Sequence, residues 1–197
     1  MDSPSRLVVG ITGASMPQLG IRLLQVLRSA PVETHLVVSK GARRTIALEA
    51  PDWTVAKVHA LADVVYQPDD LAASIASGSF ITWGMVVVPC SMNALASIAY
   101  SLASDLVTRA ADVTLKESRP LVLMPRESPL HVGHLRNLTR AAEIGARIMP
   151  PMLGSYYSPT SIDDIVDHLV GRVLDQFGIQ HELVKRWESP DPRDGAS

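Results

Sequence analysis

The chain has 197 residues, a formal charge of −2, one cysteine, and 47% hydrophobic residues with only 5% aromatics. Scattered, nearly balanced charge argues against a nucleic-acid surface, the lone cysteine excludes an internal disulfide or a four-cysteine zinc site, and no apolar run reaches the roughly 20 residues that span a bilayer. The length fits a single domain, the expected setting is cytoplasmic, neither secreted nor membrane-bound, and a mean hydropathy of +0.16 predicts apolar surface buried between copies of a homo-oligomer.

Leu7-Val8-Val9 reads as a strand that runs through Gly10-Ile11-Thr12-Gly13-Ala14-Ser15 into a helix over about Pro17 to Arg28. Small residues let backbone N–H groups approach an anion, and the helix that follows aims its unpaired donors and positive dipole end at the same point. No Lys-Ser or Lys-Thr follows Gly13, which argues against a P-loop, and the Gly-x-Gly-x-x-Gly dinucleotide pattern is also missing. Mononucleotide binding is the preferred reading.

Glu33–Val38 forms the second predicted strand, with Ser39 as the N-cap of a helix reaching about Glu49. A carboxylate at a helix C-terminus opposes the dipole, which leaves two readings of Glu49, retention for another purpose or chance placement. Further expected elements are a helical turn over Ala56–Ala62, a short strand Val64–Tyr66 and a helix from Asp69 to Ile75. Met85–Val88 is the best central parallel strand, and Pro89-Cys90-Ser91-Met92-Asn93 forms a second strand-to-helix turn with Ser91 at the cap. Cys90 has no histidine or second cysteine nearby and reads as a small core residue.

Ser104-Asp105 caps a helix on which Arg109 and Lys116, seven residues apart, share one face. Pro120–Met124 is another buried strand. It is followed by Arg126-Glu127, an adjacent cation and acid at the strand edge where doubly wound sheets bind ligands. His131-Val132-Gly133-His134 copies a nucleotidyl-transfer motif but lies too late in the chain and has no basic partner motif. Arg147-Ile148-Met149 is the last predicted strand, and a proline-rich loop through Tyr156-Tyr157 leads to a helix starting near Ser161 that carries Arg172. One nucleotide-binding domain is expected over residues 1–179. Residues 180–197 read as a tail, with Trp187 docking onto its own subunit or a neighbour.

Several of these stretches, in the same order and spacing, resemble the flavin prenyltransferases of the UbiX type. They are Gly10–Ser15, Ser77–Phe80, Pro89–Met92, Thr108–Glu117, Arg126–His131, and Asp163 through Arg172. The resemblance implies an α/β, Rossmann-like (flavodoxin-like) doubly wound parallel sheet in a homo-oligomer, usually a dodecamer. It further implies metal-independent transfer of a dimethylallyl group from dimethylallyl monophosphate to N5 and C6 of reduced FMN, the product serving UbiD-type decarboxylases. By position, Gly13, Ala14, Ser15, Ser39, Ser91, Met92, Asn93 and Ala94 would hold FMN, with Arg126 at the junction of flavin and substrate. Arg109, Lys116, Tyr156 and Arg172 would grip the prenyl phosphate, partly across subunits. Glu49 and Ser15 would assist proton removal at N5, Glu127 would protonate the departing phosphate, and Trp187 would close the pocket.

The chain departs from the family pattern at Met16, where glycine is common, and at Asn93, Ala94, Ser155 and Tyr157-Ser158. Beside a flavin edge, a methionine side chain at position 16 could occlude or reshape the prenyl pocket. These departures leave one alternative, an FMN-binding accessory subunit of a hydroxyarylic acid decarboxylase without transferase activity.

Overall fold

The computed structural model describes residues 5–184 and 186. Six strands among these residues form one sheet: β1 (Arg6–Ile11), β2 (Glu33–Val38), β3 (Val64–Tyr66), β4 (Gly84–Cys90), β5 (Leu121–Pro125) and β6 (Arg147–Ile148). All neighbours run parallel, in the order β3-β2-β1-β4-β5-β6. The chain therefore reverses its winding between β1 and β4, which opens a crevice at their C-terminal ends. Among the described residues seven helices cover the two faces: α1 (Gln18–Leu27), α2 (Lys40–Glu49), α3 (Val55–His59), α4 (Met92–Ala99), α5 (Leu106–Lys116), α6 (Val132–Glu143) and α7 (Ile162–Asp175).

The strand alternation divides the core in two. Leu7, Val9 and Ile11 point to the layer of α1, α2 and α7, whereas Val8 with Met85 and Val87 points to that of α4, α5 and α6. Strands apolar on both faces are what a sheet covered on both sides requires, which is why β1 and β4 read as continuous hydrophobic runs.

The expected helix over Asp69–Ile75 does not form, and only a 3-10 turn at Ser74–Ala76 appears. Asp70 is the reason: its carboxylate accepts from the Ala72 N–H, a local bond that competes with the helical ladder in a segment too short to nucleate well. The region crosses instead as a loop, pinned where the Leu106 N–H donates to the Pro68 carbonyl. The part of the expected tail that is described packs against α7. Asp175 takes bonds from His181 and Arg186, and a Cβ on Gly171 would run into Val184 and His181.

Candidate functional site

A cleft of about 500 Å³ lies at the reversal point, within the usual range for a cofactor-sized ligand. Three helices begin on it. Ser39 caps α2 by accepting from the Ala42 N–H at 3.2 Å, Ser91 caps α4 by accepting from Ala94 at 3.2 Å, and Asp105 caps α5 by accepting from Thr108 at 2.9 Å. Each cap satisfies one orphan donor and leaves others of its first turn facing the cleft, so the partial charges favour an anion.

Gly13 and Gly41 form the wall between β1 and α2. A Cβ on Gly13 would come within 3.0 Å of the Gly41 backbone, and one on Gly41 within 3.2 Å of the Gly13 Cα. Main chain here meets main chain, and an added Cβ on either glycine would push the other segment back by a few tenths of an ångström. Thr12 locks the β1 turn to the β4 turn: its hydroxyl donates to the Pro89 carbonyl at 2.9 Å and accepts from the Ser91 N–H at 2.7 Å.

Five of the predicted flavin contacts line this cleft: Gly13, Ser39, Ser91, Asn93 and Ala94. Ala14 is turned inward, 7% exposed, and spends its N–H on the Thr12 carbonyl at 2.8 Å. Met92 packs against the core on the α4 side, and Arg126 is exposed beyond β5. Thr12, from the Gly10–Ser15 turn, also lines the cleft, as do Lys40, Gly41, Asp69, Ser104 and Asp105, which no sequence motif marks as ligands. Gly41 and Thr12 act through partners 28 and 77 residues away, which no local pattern reveals.

Ser15 and Glu49 come together as expected. The Ser15 hydroxyl donates to the Glu49 carboxylate at 2.7 Å, and the same oxygen accepts the Met16 N–H at 3.0 Å. This answers why an acid ends α2: it fastens the loop after β1. Met16 has φ of 68°, the left-handed region where glycine is favoured, and its partly buried side chain packs with the α1 and α7 core instead of lining the cleft. Glu127 is exposed and accepts from the Ser128 N–H. Cys90 is fully buried, which pushes its thiol up to about 12 and makes it inert.

The four groups expected to grip a phosphate do not meet within one chain. Arg109 donates to the Ala76 carbonyl and pairs with Asp112, while Lys116 pairs with Glu117 beside Gly78. Arg172 pairs with Asp175, and the Tyr156 hydroxyl lies 3.0 Å from His168 Nε2. α5 and α7 lie on opposite faces of the sheet. Arg172 sits near the far end of α7, where Arg147 at the start of β6 donates to the Gln176 carbonyl, so it is remote from its own cleft. Trp187 lies outside the described residues.

His131 is the N-cap of α6, its Nδ1 accepting from the Gly133 N–H, with the His134 ring stacked on it at 3.6 Å. Its role is thus local. Among the described residues no group of three or more His, Cys, Asp or Glu is placed to hold a metal, and no helix is long and apolar enough to cross a membrane.

Residues 1–174 match the family model described as Flavoprotein. The chain is 56% identical over 186 residues to the flavin prenyltransferase UbiX of Escherichia coli (strain K12), which covers 93% of this chain and 98% of that protein. Among solved structures, AnUbiX (PadA1) in complex with FMN and dimethylallyl pyrophosphate matches with a TM-score of 0.93 and 46% identity, covering 96% of this chain and all of that one. A dodecameric FMN-dependent UbiX-like decarboxylase from Escherichia coli O157:H7 matches with a TM-score of 0.91 and 53% identity, covering 93% and 100%.

Proposed function

Since the chain belongs to the Flavoprotein family and, within it, to the UbiX flavin prenyltransferases, we propose that the cleft between β1 and β4 is where it binds FMN and carries out prenyl transfer. The observation that carries this assignment is the convergence of three helix N-termini and a glycine-on-glycine wall on one cleft, with the Ser15–Glu49 pair on the loop that follows. The donor set fits the flavin: main-chain N–H groups and short hydroxyls suit a phosphate and ribityl chain, with no metal needed.

Reduced FMN, when bound, supplies the nucleophilic N5 and C6 that accept a dimethylallyl group. Gly13, Ser39, Ser91, Asn93 and Ala94 would hold it, with Ala14 and Met92 in the same two turns and Arg126, which follows β5, at the junction of flavin and donor. Glu49, hydrogen-bonded to the Ser15 hydroxyl, accepts the proton released at N5 through that hydroxyl. Arg109, Lys116, Arg172 and Tyr156 bind the phosphate of the donor, and Glu127 protonates it as it leaves. Negative charge builds on the departing oxygen, so fixed donors are most useful there, each being worth roughly 3 kcal/mol. Trp187 closes an apolar wall that keeps water from the allylic carbon.

Because those donors occupy opposite sheet faces in one chain, a complete site requires neighbouring copies. The assembly is a homo-oligomer, taken to be a dodecamer. The donor is dimethylallyl monophosphate, the recipient of the product is a UbiD-type decarboxylase, and the setting is cytoplasmic. Residues 1–179 form the flavoprotein domain and 180–197 a docking tail.

The test is anaerobic incubation with reduced FMN and dimethylallyl monophosphate, followed by mass spectrometry of the extracted flavin. A flavin heavier by one five-carbon unit is expected. Unmodified FMN, tightly bound by folded protein, would overturn the assignment in favour of an accessory subunit.

A further inference from the structure

Tyr157 stands where the family pattern has a different pair of side chains, and the structure gives it a partner. Its ring stacks on His168 at 4.0 Å with an interplanar angle of 7°. His168, in the middle of α7, is only 7% exposed, and its Nε2 lies 3.0 Å from the Tyr156 hydroxyl. Its other ring nitrogen, Nδ1, is buried and has no hydrogen-bond partner among the described residues. The imidazole is thus fixed from two sides, by a face-to-face ring and by a phenol.

That arrangement selects a tautomer. A neutral imidazole carries one N–H. Were it on Nδ1, a donor would be buried unsatisfied, whereas on Nε2 it is used on Tyr156 and only an acceptor lone pair is left unfilled, the better tolerated of the two defects. Burial and the nearby Arg172 both hold the ring below its ordinary pKa, with Asp175 opposing them, which keeps the ring neutral. Nε2–H therefore donates to the phenol oxygen, and Tyr156 acts toward its other partners through its own O–H.

We propose that His168, steadied by the Tyr157 ring, is a positioning residue that orients the Tyr156 hydroxyl as a hydrogen-bond donor to the phosphate of the prenyl donor. This rests on the assignment of Tyr156 to that phosphate. A phenol with two rotatable ring torsions gains an oriented O–H when its oxygen is already engaged, so less freedom is lost on binding.

The test measures KM and kcat for dimethylallyl monophosphate in the assembled, FMN-loaded protein with His168→Phe, His168→Gln, Tyr156→Phe and the double variant. Phenylalanine keeps the stack with Tyr157 and removes the hydrogen bond. The expected result is a rise of about tenfold in KM for His168→Phe, with kcat changed less than twofold and FMN affinity and thermal midpoint unchanged, because the lost contact is made in ground and transition states alike. Glutamine, whose amide also donates to Tyr156, is expected to restore KM to within about threefold. The double variant is expected to be no worse than Tyr156→Phe.

If Tyr156→Phe raises KM while His168→Phe does not, or if the two effects multiply in the double variant, the positioning role is wrong and the assignment of Tyr156 stands. A loss of thermal stability in His168→Phe without a rise in KM also overturns the positioning role, leaving a purely structural histidine. If Tyr156→Phe itself leaves KM unchanged, both fall.

Discussion

Replacing Met16 separates two effects that its backbone conformation combines. At φ of 68° a side chain with a Cβ costs about 1–2 kcal/mol relative to glycine. Glycine gives back about 0.4–1 kcal/mol through its freer unfolded chain, so Met16→Gly is expected to be more stable than Met16→Ala by about 0.5–1 kcal/mol. Both variants lose the same partly buried packing against the α1 and α7 core, which cancels in the comparison. For a chain of this size the gap corresponds to roughly 2 °C in the unfolding midpoint, with Met16→Gly above Met16→Ala. The assay is thermal unfolding of the two variants side by side at one concentration, with and without FMN. An Ala variant that melts at or above the Gly variant would refute the left-handed assignment. Because the side chain does not line the cleft, FMN affinity in Met16→Gly is expected to match the native protein, and a change of more than about threefold would count against that placement.

Glu49→Gln removes the carboxylate that accepts from Ser15 and from the Met16 N–H, and should lower kcat at least tenfold while FMN stays bound; stopped anaerobic turnover with mass detection of the flavin measures this. Gly13→Ala forces a Cβ within 3.0 Å of the Gly41 backbone, so an FMN dissociation constant raised at least tenfold is expected from flavin fluorescence quenching. The Cys90 thiol, raised to about 12 by burial, should resist iodoacetamide at pH 8 until the protein is unfolded, read by intact mass. Asp175 is held from its ordinary 3.8 down to about 2, first of all by its bond from Arg186, with His181 also donating to it. A depressed carboxyl contributes stability that is present above its unfolded value and is lost as pH falls from about 4 toward 2. Asp175→Asn should therefore melt about 2 °C lower near neutrality, and the gap should close across that acid window.

The fold was legible where periodicity and caps agree. Leu7–Val9 and Met85–Val88 announce buried parallel strands, and Ser39, Ser91 and Asp105 announce the helix starts that border the cleft. Asp69–Ile75 misled because its composition suits a helix while the Asp70 side chain diverts the local hydrogen bonding. The hydroxyl of Thr12 and the fit of Gly41 on Gly13 stayed hidden, since each depends on a partner brought near only by the sheet order. Arg109 and Lys116 were rightly placed on one helix face, yet nothing along the chain tells that α5 and α7 end on opposite sides of the sheet. Met16 was visible as an anomaly, but its meaning lay in a torsion angle.

The meeting of Gly13 and Gly41 has a consequence for how such a chain can evolve. One half of the site is made of backbone and short hydroxyls, so neutral drift among the surrounding side chains leaves it intact while those two glycines stay fixed. The donor grip proposed above would depend instead on long side chains carried by separate helices, α5 and α7. In the arrangement proposed above, a change in those long side chains would alter the grip on the prenyl donor and leave the backbone-built flavin cradle in place.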